Sequence, residues 1–117
     1  MKTIFAIAVI VIGLLWSCSQ PTLPDQNPEW VTRLVAQYAS EPIGNPPLSI
    51  WRYEYKRQLM YYVPPQCCDQ FSVLFDAEGN VLGAPDGGIG GTGDGRITDL
   101  FTERKNEKLI WKDSRQP

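Results

Sequence analysis

The chain has 117 residues, of which 11 are basic and 13 acidic, and it contains no histidine. A length of this size predicts one small domain with a modest core. Because lysine and arginine do not cluster on any predicted face, the charge pattern argues against nucleic acid as a partner. The absence of histidine removes the commonest general base and the commonest zinc ligand.

Residues 1–17 are typical of a lipoprotein signal peptide. Lys2 precedes an apolar run over residues 4–16, which is shorter than the roughly 20 residues of a membrane-spanning helix. The run ends in Leu15-Trp16-Ser17-Cys18, which resembles a bacterial lipobox. We therefore expect Cys18 to be lipidated and to attach the protein to a membrane. An uncleaved anchor, or an ordinary signal followed by a chance cysteine, is the alternative.

Residues 18–27 read as a proline-rich tether, since such segments are extended and semi-rigid. Ser19, directly after the cysteine, resembles the pattern that sorts lipoproteins to the outer membrane. The protein is accordingly expected at the cell envelope, facing the periplasm or the cell surface. Residues 28–117 then form the single folded domain.

The domain begins with a predicted amphipathic helix over residues 29–39. Asn27 is the expected cap and Pro28 the first helical residue. Apolar side chains recur at helical spacing, at Trp30, Val31, Leu34, Val35 and Tyr38. This stripe predicts a core-facing surface, and binding of a partner along the helix is the alternative.

Strands are predicted over residues 48–55, 58–63, 71–76, 81–84 and 108–111, from period-two patterns and the turns between them. Lys56 and Arg57 form the turn between the first two strands, and Gly79 lies in the turn before residue 81. A short helix can begin at Asp99. The predicted fold is α+β, with one N-terminal helix packed on a small, mostly antiparallel meander sheet that carries a glycine-rich loop.

Aromatic side chains concentrate on this sheet, at Trp51, Tyr53, Tyr55, Tyr61 and Tyr62. One helix covers only one face of a sheet, so an exposed aromatic face is expected as a contact surface for a ligand or a protein. The alternative is that these side chains form the core.

The glycine-rich loop over residues 83–95 reads GAPDGGIGGTGDG. Residues 88–93 fit the pattern G-x-G-x-x-G, but too few residues follow for a dinucleotide-binding βαβ unit. No cofactor is expected. A calcium site made by Asp86, Asp94 and Asp99 remains an alternative to the interpretation that these residues only form turns.

Cys67 and Cys68 are adjacent, and they predict either a vicinal disulfide or two thiols. A nucleophilic cysteine needs a base, usually a histidine, so no catalytic residue is assigned. Binding of a soft metal such as Cu(I) by the thiolates is a further alternative.

The motifs Pro64-Pro65-x-Cys67-Cys68-Asp69, residues 85–88 (PDGG) and residues 93–95 (GDG) occur together. In this combination the chain resembles, over residues 45–113, an uncharacterised family of small Bacteroidota-type envelope lipoproteins. Members often carry further cysteines near positions 83 and 97, where this chain has Gly83 and Ile97. The resemblance implies a location and a fold but no reaction.

Together these features predict a lipid-anchored envelope protein that binds an unidentified protein or ligand and is not an enzyme. Two alternatives stay open. One is a thiol redox or soft-metal-handling protein centred on Cys67 and Cys68, and the other is a structural subunit of an envelope complex.

Overall fold

The structure is a computed structural model and describes residues 26–67 and 69–116. The predicted signal peptide, Cys18, most of the tether and Cys68 lie outside the described residues. Within the part of the chain that the structure describes, no helix is both long enough and apolar enough to cross a membrane.

The described residues form one five-stranded sheet and two helices. The strands are β1 (Ser49–Tyr55), β2 (Gln58–Val63), β3 (Val73–Phe75), β4 (Val81–Gly83) and β5 (Lys105–Lys112), and the helices are α1 (Glu29–Ser40) and α2 (Leu100–Glu103). The strand order is β4-β3-β2-β1-β5, and every neighbouring pair is antiparallel. The predicted α+β class is confirmed. The first four strands form a meander, whereas β5 pairs with the outer side of β1.

Helix α1 covers one face of the sheet. Its stripe packs against Ile50, Tyr61 and Val63, which alternate along β1 and β2. The Trp30 ring meets the edge of the Tyr61 ring with centroids 5.1 Å apart, and its indole N–H donates a hydrogen bond of 2.9 Å to the Ala77 carbonyl. The expected core stripe is therefore present. Pro28, not Asn27, occupies the cap position, and no side chain caps the helix.

The second face of the sheet is also covered, so the expectation of an open aromatic face was wrong. Tyr53, Tyr55 and Tyr62 are buried on this face, and Tyr61 is buried on the opposite face beneath α1. Of the five aromatic residues predicted to form the contact surface, only Trp51 is half-buried. The physical reason is that the segment after β4 folds back across the sheet, where it adds apolar contacts with the tyrosine rings.

Leu100 and its neighbours provide this second cover. Leu100 is buried against the tyrosines, and the Phe101 ring contacts Tyr62 edge-on at 5.6 Å. Arg104 lies 4.8 Å from the centre of the Tyr53 ring and donates a hydrogen bond of 2.7 Å to the Tyr53 hydroxyl. The short helix expected after Asp99 thus closes the second core.

The lengths of two strands differ from the prediction. The predicted strand 71–76 shortens to β3, because Phe71 leaves the ladder and pairs instead with Gly87 of the glycine-rich loop. The predicted strand 108–111 extends to β5, which begins at Lys105. The pairing of Phe71 with Gly87 holds the glycine-rich loop beside the start of β3.

Candidate functional site

The glycine-rich loop is held to the sheet through Asp86. The Asp86 backbone N–H donates to the Ser72 hydroxyl at 3.1 Å, and the Asp86 carbonyl accepts from the Ser72 backbone N–H, also at 3.1 Å. The Tyr62 hydroxyl donates to Asp86 Oδ1 at 2.7 Å. Burial, reinforced by this hydrogen bond, raises the pKa of Tyr62 well above its usual value. Asp86 therefore anchors the loop to β2.

Glycine is required where the loop folds onto itself. Gly87 and Gly93 have φ angles of 83° and 74°, which side chains other than glycine adopt at a cost. A Cβ at Gly93 would overlap the Ala84 carbonyl oxygen, and one at Gly87 would overlap the Gln70 carbonyl oxygen. These close approaches give the loop one backbone conformation.

Asp94 is hydrogen-bonded to Arg96, directly after the loop, and it does not share a site with the other two aspartates. Its carboxylate accepts hydrogen bonds from the Arg96 backbone N–H at 3.1 Å and from Arg96 Nε at 2.9 Å. These contacts lower the pKa of Asp94. The carboxylate thus stabilises its own turn.

The carboxylate of Asp99, which directly precedes α2, is bound by side chains of the first hairpin. It accepts a hydrogen bond from the Tyr55 hydroxyl and lies 3.7 Å from Lys56 Nζ. The pKa of Asp99 is lowered, first by the hydrogen bond from Tyr55 and also by the charge of Lys56. The structure therefore does not bring together Asp86, Asp94 and Asp99. Across residues 26–67 and 69–116, no three acidic or cysteine side chains are placed to hold a metal ion.

Cys67 lies in a turn next to the loop and is disulfide-bonded. Its carbonyl accepts a hydrogen bond of 2.8 Å from the Gln70 backbone N–H. The other two cysteines of the chain, Cys18 and Cys68, lie outside the described residues. Because the sulfur of Cys67 is bonded, it offers no thiolate to a soft metal.

An exposed apolar surface, which the sequence patterns did not predict, joins the turn at Cys67 to the glycine-rich loop. Ile89 is 96% exposed and Phe71 is 55% exposed. The Phe71 ring packs so closely on Gly88 that a Cβ there would lie 2.6 Å from the ring. With Asp69, these residues line a shallow depression of about 340 Å³. We call Asp69, Phe71, Gly88 and Ile89 the loop surface.

A sequence signal for the loop surface did exist. Ile89 is the only large apolar residue between Pro85 and Ile97. A large apolar side chain in a loop of glycine and aspartate has no neighbours in sequence to cover it. This position therefore indicated an exposed apolar side chain more specifically than the tyrosines of the sheet did.

The fold and the loop define a small α+β domain built on an antiparallel sheet, with a glycine-rich loop that is hydrogen-bonded to the sheet at one end. The chain belongs to the family described as domain of unknown function (DUF6970), whose model matches residues 36–113. This confirms the predicted membership in an uncharacterised family. No match was found among curated proteins or among solved structures. The matched residues include all five strands and the whole loop.

Proposed function

We propose that the protein is a lipid-anchored interaction module of the bacterial cell envelope. In this proposal the loop surface holds a partner protein and catalyses no reaction. The observation that carries it is Ile89, which is 96% exposed on a loop that hydrogen bonds hold to the sheet. Attachment to the outer membrane is proposed from Cys18, the apolar run before it and Ser19 after it.

A partner would gain free energy from covering the loop surface. Full burial of an isoleucine or phenylalanine side chain stabilises a contact by about 1.5–3 kcal/mol. Because Gly88 and Asp86 already fix the loop, little conformational entropy would be lost on binding. Asp69 beside Phe71 supplies a polar rim, and apolar patches with polar rims are typical of protein interaction sites.

The perturbed side chains support a non-catalytic role. A catalytic acid or base has to reach a substrate in an open cleft. Tyr62 and Asp86 bind each other beneath the loop, and Tyr55 binds Asp99 beside α2. The shifted pKa values of Tyr62 and Asp99 are accounted for by burial and by these partners. The chain also has no histidine that could take over proton transfer.

Capture of the full-length protein from membranes tests the loop surface. The wild-type protein is expected to co-purify with a partner protein, and Ile89→Asp is expected to lose it because a charge would be buried at the contact. Leu109→Asp is the matched control. Leu109 is 43% exposed on β5, at the edge of the sheet opposite β4.

Two outcomes contradict the proposal. One is that both variants retain the partner, or lose it equally. The other is turnover of a substrate by the purified protein that disappears in an Asp86→Asn variant. A partner that survives purification only as part of a larger fixed assembly would favour the alternative of a structural subunit.

Thiol redox chemistry is the second candidate, because Cys67 is disulfide-bonded. Reduction by an external dithiol would add two electrons and two protons to the disulfide and oxidise the dithiol to its own disulfide. Mass spectrometry of the intact protein tests this candidate. The purified protein should lack two hydrogens and should regain them with a dithiol reductant. Two thiols that alkylate before any reduction would eliminate the redox candidate.

A further inference from the structure

A second concave site lies where β1 begins and β2 ends. It is lined by two proline pairs, Pro46 with Pro47 and Pro64 with Pro65, and by Trp51. The volume is about 230 Å³, which is below the range of about 300–1,000 Å³ for drug-sized ligands. This site, which we call the proline pocket, therefore accommodates one small ring and not an extended chain.

The apolar walls of the proline pocket are already ordered. Proline has a fixed φ and loses little freedom when a ligand binds. The Trp51 indole N–H donates a hydrogen bond of 3.0 Å to the Ser49 hydroxyl, which restrains the ring. Trp51 is half-buried, so part of its surface remains open to a ligand.

Gln66 supplies the neutral polar group of the pocket, and Gly44 positions it. A Cβ at Gly44 would overlap Gln66 Nε2, so the amide lies directly against the backbone of Gly44. A glutamine amide offers two hydrogen-bond donors and one acceptor. Such a group matches neighbouring hydroxyls on a ligand.

Lys112 is the one charged residue that lines the proline pocket. It is exposed at the end of β5, beside Ser49 of β1. It takes part in none of the ion pairs found in the described part of the chain. Its ammonium group is thus available to a carboxylate on the ligand.

We propose that the proline pocket binds an acidic sugar, that is, a single pyranose ring that carries a carboxylate. The apolar C–H face of the ring would lie against Trp51 and the prolines. The hydroxyl edge would bind Gln66, and the carboxylate would bind Lys112. A proline-rich peptide fits less well, because one aromatic residue does not make the paired aromatic slots that such peptides use. It would also leave Gln66 and Lys112 without a role.

The site adjoins the loop surface but is separate from it. Pro65 belongs to the wall of the pocket, and its Cβ lies near Gly87, where an added Cβ would be 3.1 Å away. None of the described residues lines both the proline pocket and the depression at the loop surface, so sugar binding does not rest on the proposed protein contact. An Ile89→Asp variant should bind the sugar as the wild type does, so the two proposals fail separately.

Nuclear magnetic resonance of the full-length protein in detergent tests the proposal with two probes, methyl glucuronide and methyl glucoside. The two sugars differ only in the carboxylate. We expect the glucuronide to shift the Trp51 indole N–H signal in a saturable way. The glucoside should bind about five-fold more weakly, since an exposed charge pair contributes up to about 1 kcal/mol.

Matched variants assign the polar contacts. Lys112→Met should reduce the affinity for the glucuronide to that for the glucoside, whereas Lys108→Met, on the same strand, should leave it unchanged. Gly44→Ala should weaken both sugars by displacing Gln66. Gln66→Ala tests the same contact without crowding the backbone, in case Gly44→Ala unfolds the protein.

Several results would overturn the assignment. Absence of a Trp51 shift with either sugar up to its solubility limit rejects sugar binding. Equal affinities for the two sugars reject the role of Lys112. A saturable Trp51 shift with a Pro-x-x-Pro peptide, and none with sugar, assigns the pocket to a different class of ligand.

Discussion

Tyr62 and Asp86 join the second strand to the glycine-rich loop through a hydrogen bond of 2.7 Å between the hydroxyl and Oδ1. They are far apart in the sequence. Each supplies the hydrogen-bond partner of the other, beneath the segment that covers the second face of the sheet. The loop surface therefore depends on a contact inside the core. In the proposed function, stability and partner binding would therefore be linked at this contact.

Tyr62→Phe should lower the free energy of unfolding by about 1.5–3 kcal/mol, because it removes a hydrogen bond to a charged group. Urea unfolding followed by circular dichroism measures the change. Tyr38→Phe is the control, since the hydroxyl of Tyr38 forms none of the hydrogen bonds found in the described residues. Equal effects of the two variants would contradict an anchoring role for Tyr62.

Gly93→Ala should destabilise the protein by about 2 kcal/mol or more. The φ of 74° costs a residue with a Cβ about 1–2 kcal/mol, and the new Cβ would overlap the Ala84 carbonyl. Gly90→Ala is the matched change in the same loop. The nearest atom to a Cβ there is Thr92 Oγ1 at 3.7 Å, so thermal unfolding should show little change. A Gly93→Ala variant as stable as Gly90→Ala would refute the loop geometry.

The turn between β1 and β2 stores backbone strain. Lys56 and Arg57 have φ angles of 50° and 62°, and glycine is favoured at such positions of a two-residue hairpin. Arg57→Gly should therefore raise the free energy of unfolding by about 1 kcal/mol. Arg57→Ala removes the same charge but keeps a Cβ, and it should give no such gain. A similar gain from both would mean that the charge, and not the backbone, causes the effect.

Arg115 connects the end of the chain to α1, and this contact should make stability sensitive to acid. Its Nη2 donates to the Glu41 carbonyl at 2.8 Å and to Asp113 Oδ2 at 2.7 Å. The hydrogen bond from Arg115 holds the pKa of Asp113 below its usual value. A lowered pKa gives stability that is complete above the unfolded value of about 3.9 and is lost as pH falls through the folded value.

Asp113→Asn should accordingly be less stable than the wild type at pH 7, and the difference should shrink below about pH 4. Unfolding midpoints measured across this range give the comparison. Asp76, Asp94 and Asp99 also have lowered pKa values, so the variant retains part of the acid sensitivity. A difference that stays constant with pH would exclude the Arg115 contact as its source.

The proposed membrane anchor is tested by Cys18→Ala. Without the thiol no lipid can be attached, so the protein should leave the membrane fraction or accumulate as the uncleaved precursor. Ser17→Ala keeps a small residue before the cysteine, and it should fractionate as the wild type does. Membrane fractionation with immunoblotting distinguishes the variants. An unchanged distribution of Cys18→Ala would contradict lipidation.

Much of the fold could be predicted because its signals are local. The apolar spacing from Trp30 to Tyr38 matches α1, and the alternation in residues 49–63 matches β1 and β2. A helix turn and a strand pleat each impose their period on neighbouring residues, so short stretches of sequence carry the information. The turns were located from their glycine, proline and charged residues, whereas α2 was expected only as a short helix that can begin at Asp99.

The second face of the sheet depended on contacts between distant residues. Leu100 and Arg104 cover Tyr53 and Tyr62, and no periodicity links these positions. The alternation of side chains along a strand does not distinguish a tyrosine on a covered face from a tyrosine on an open face. The aromatic surface expected from the pattern was therefore wrong, although the strands that carry it were right.

The sequence by itself determined the local elements, because the pattern of each is written in consecutive residues. Only the tertiary structure decided which side chains reach solvent. It buried the tyrosines, separated Asp86, Asp94 and Asp99, and left Ile89 exposed. The physical reason is that burial is a property of packing between segments. The free energy of covering the second face depends on the segment after β4, which folds back across it.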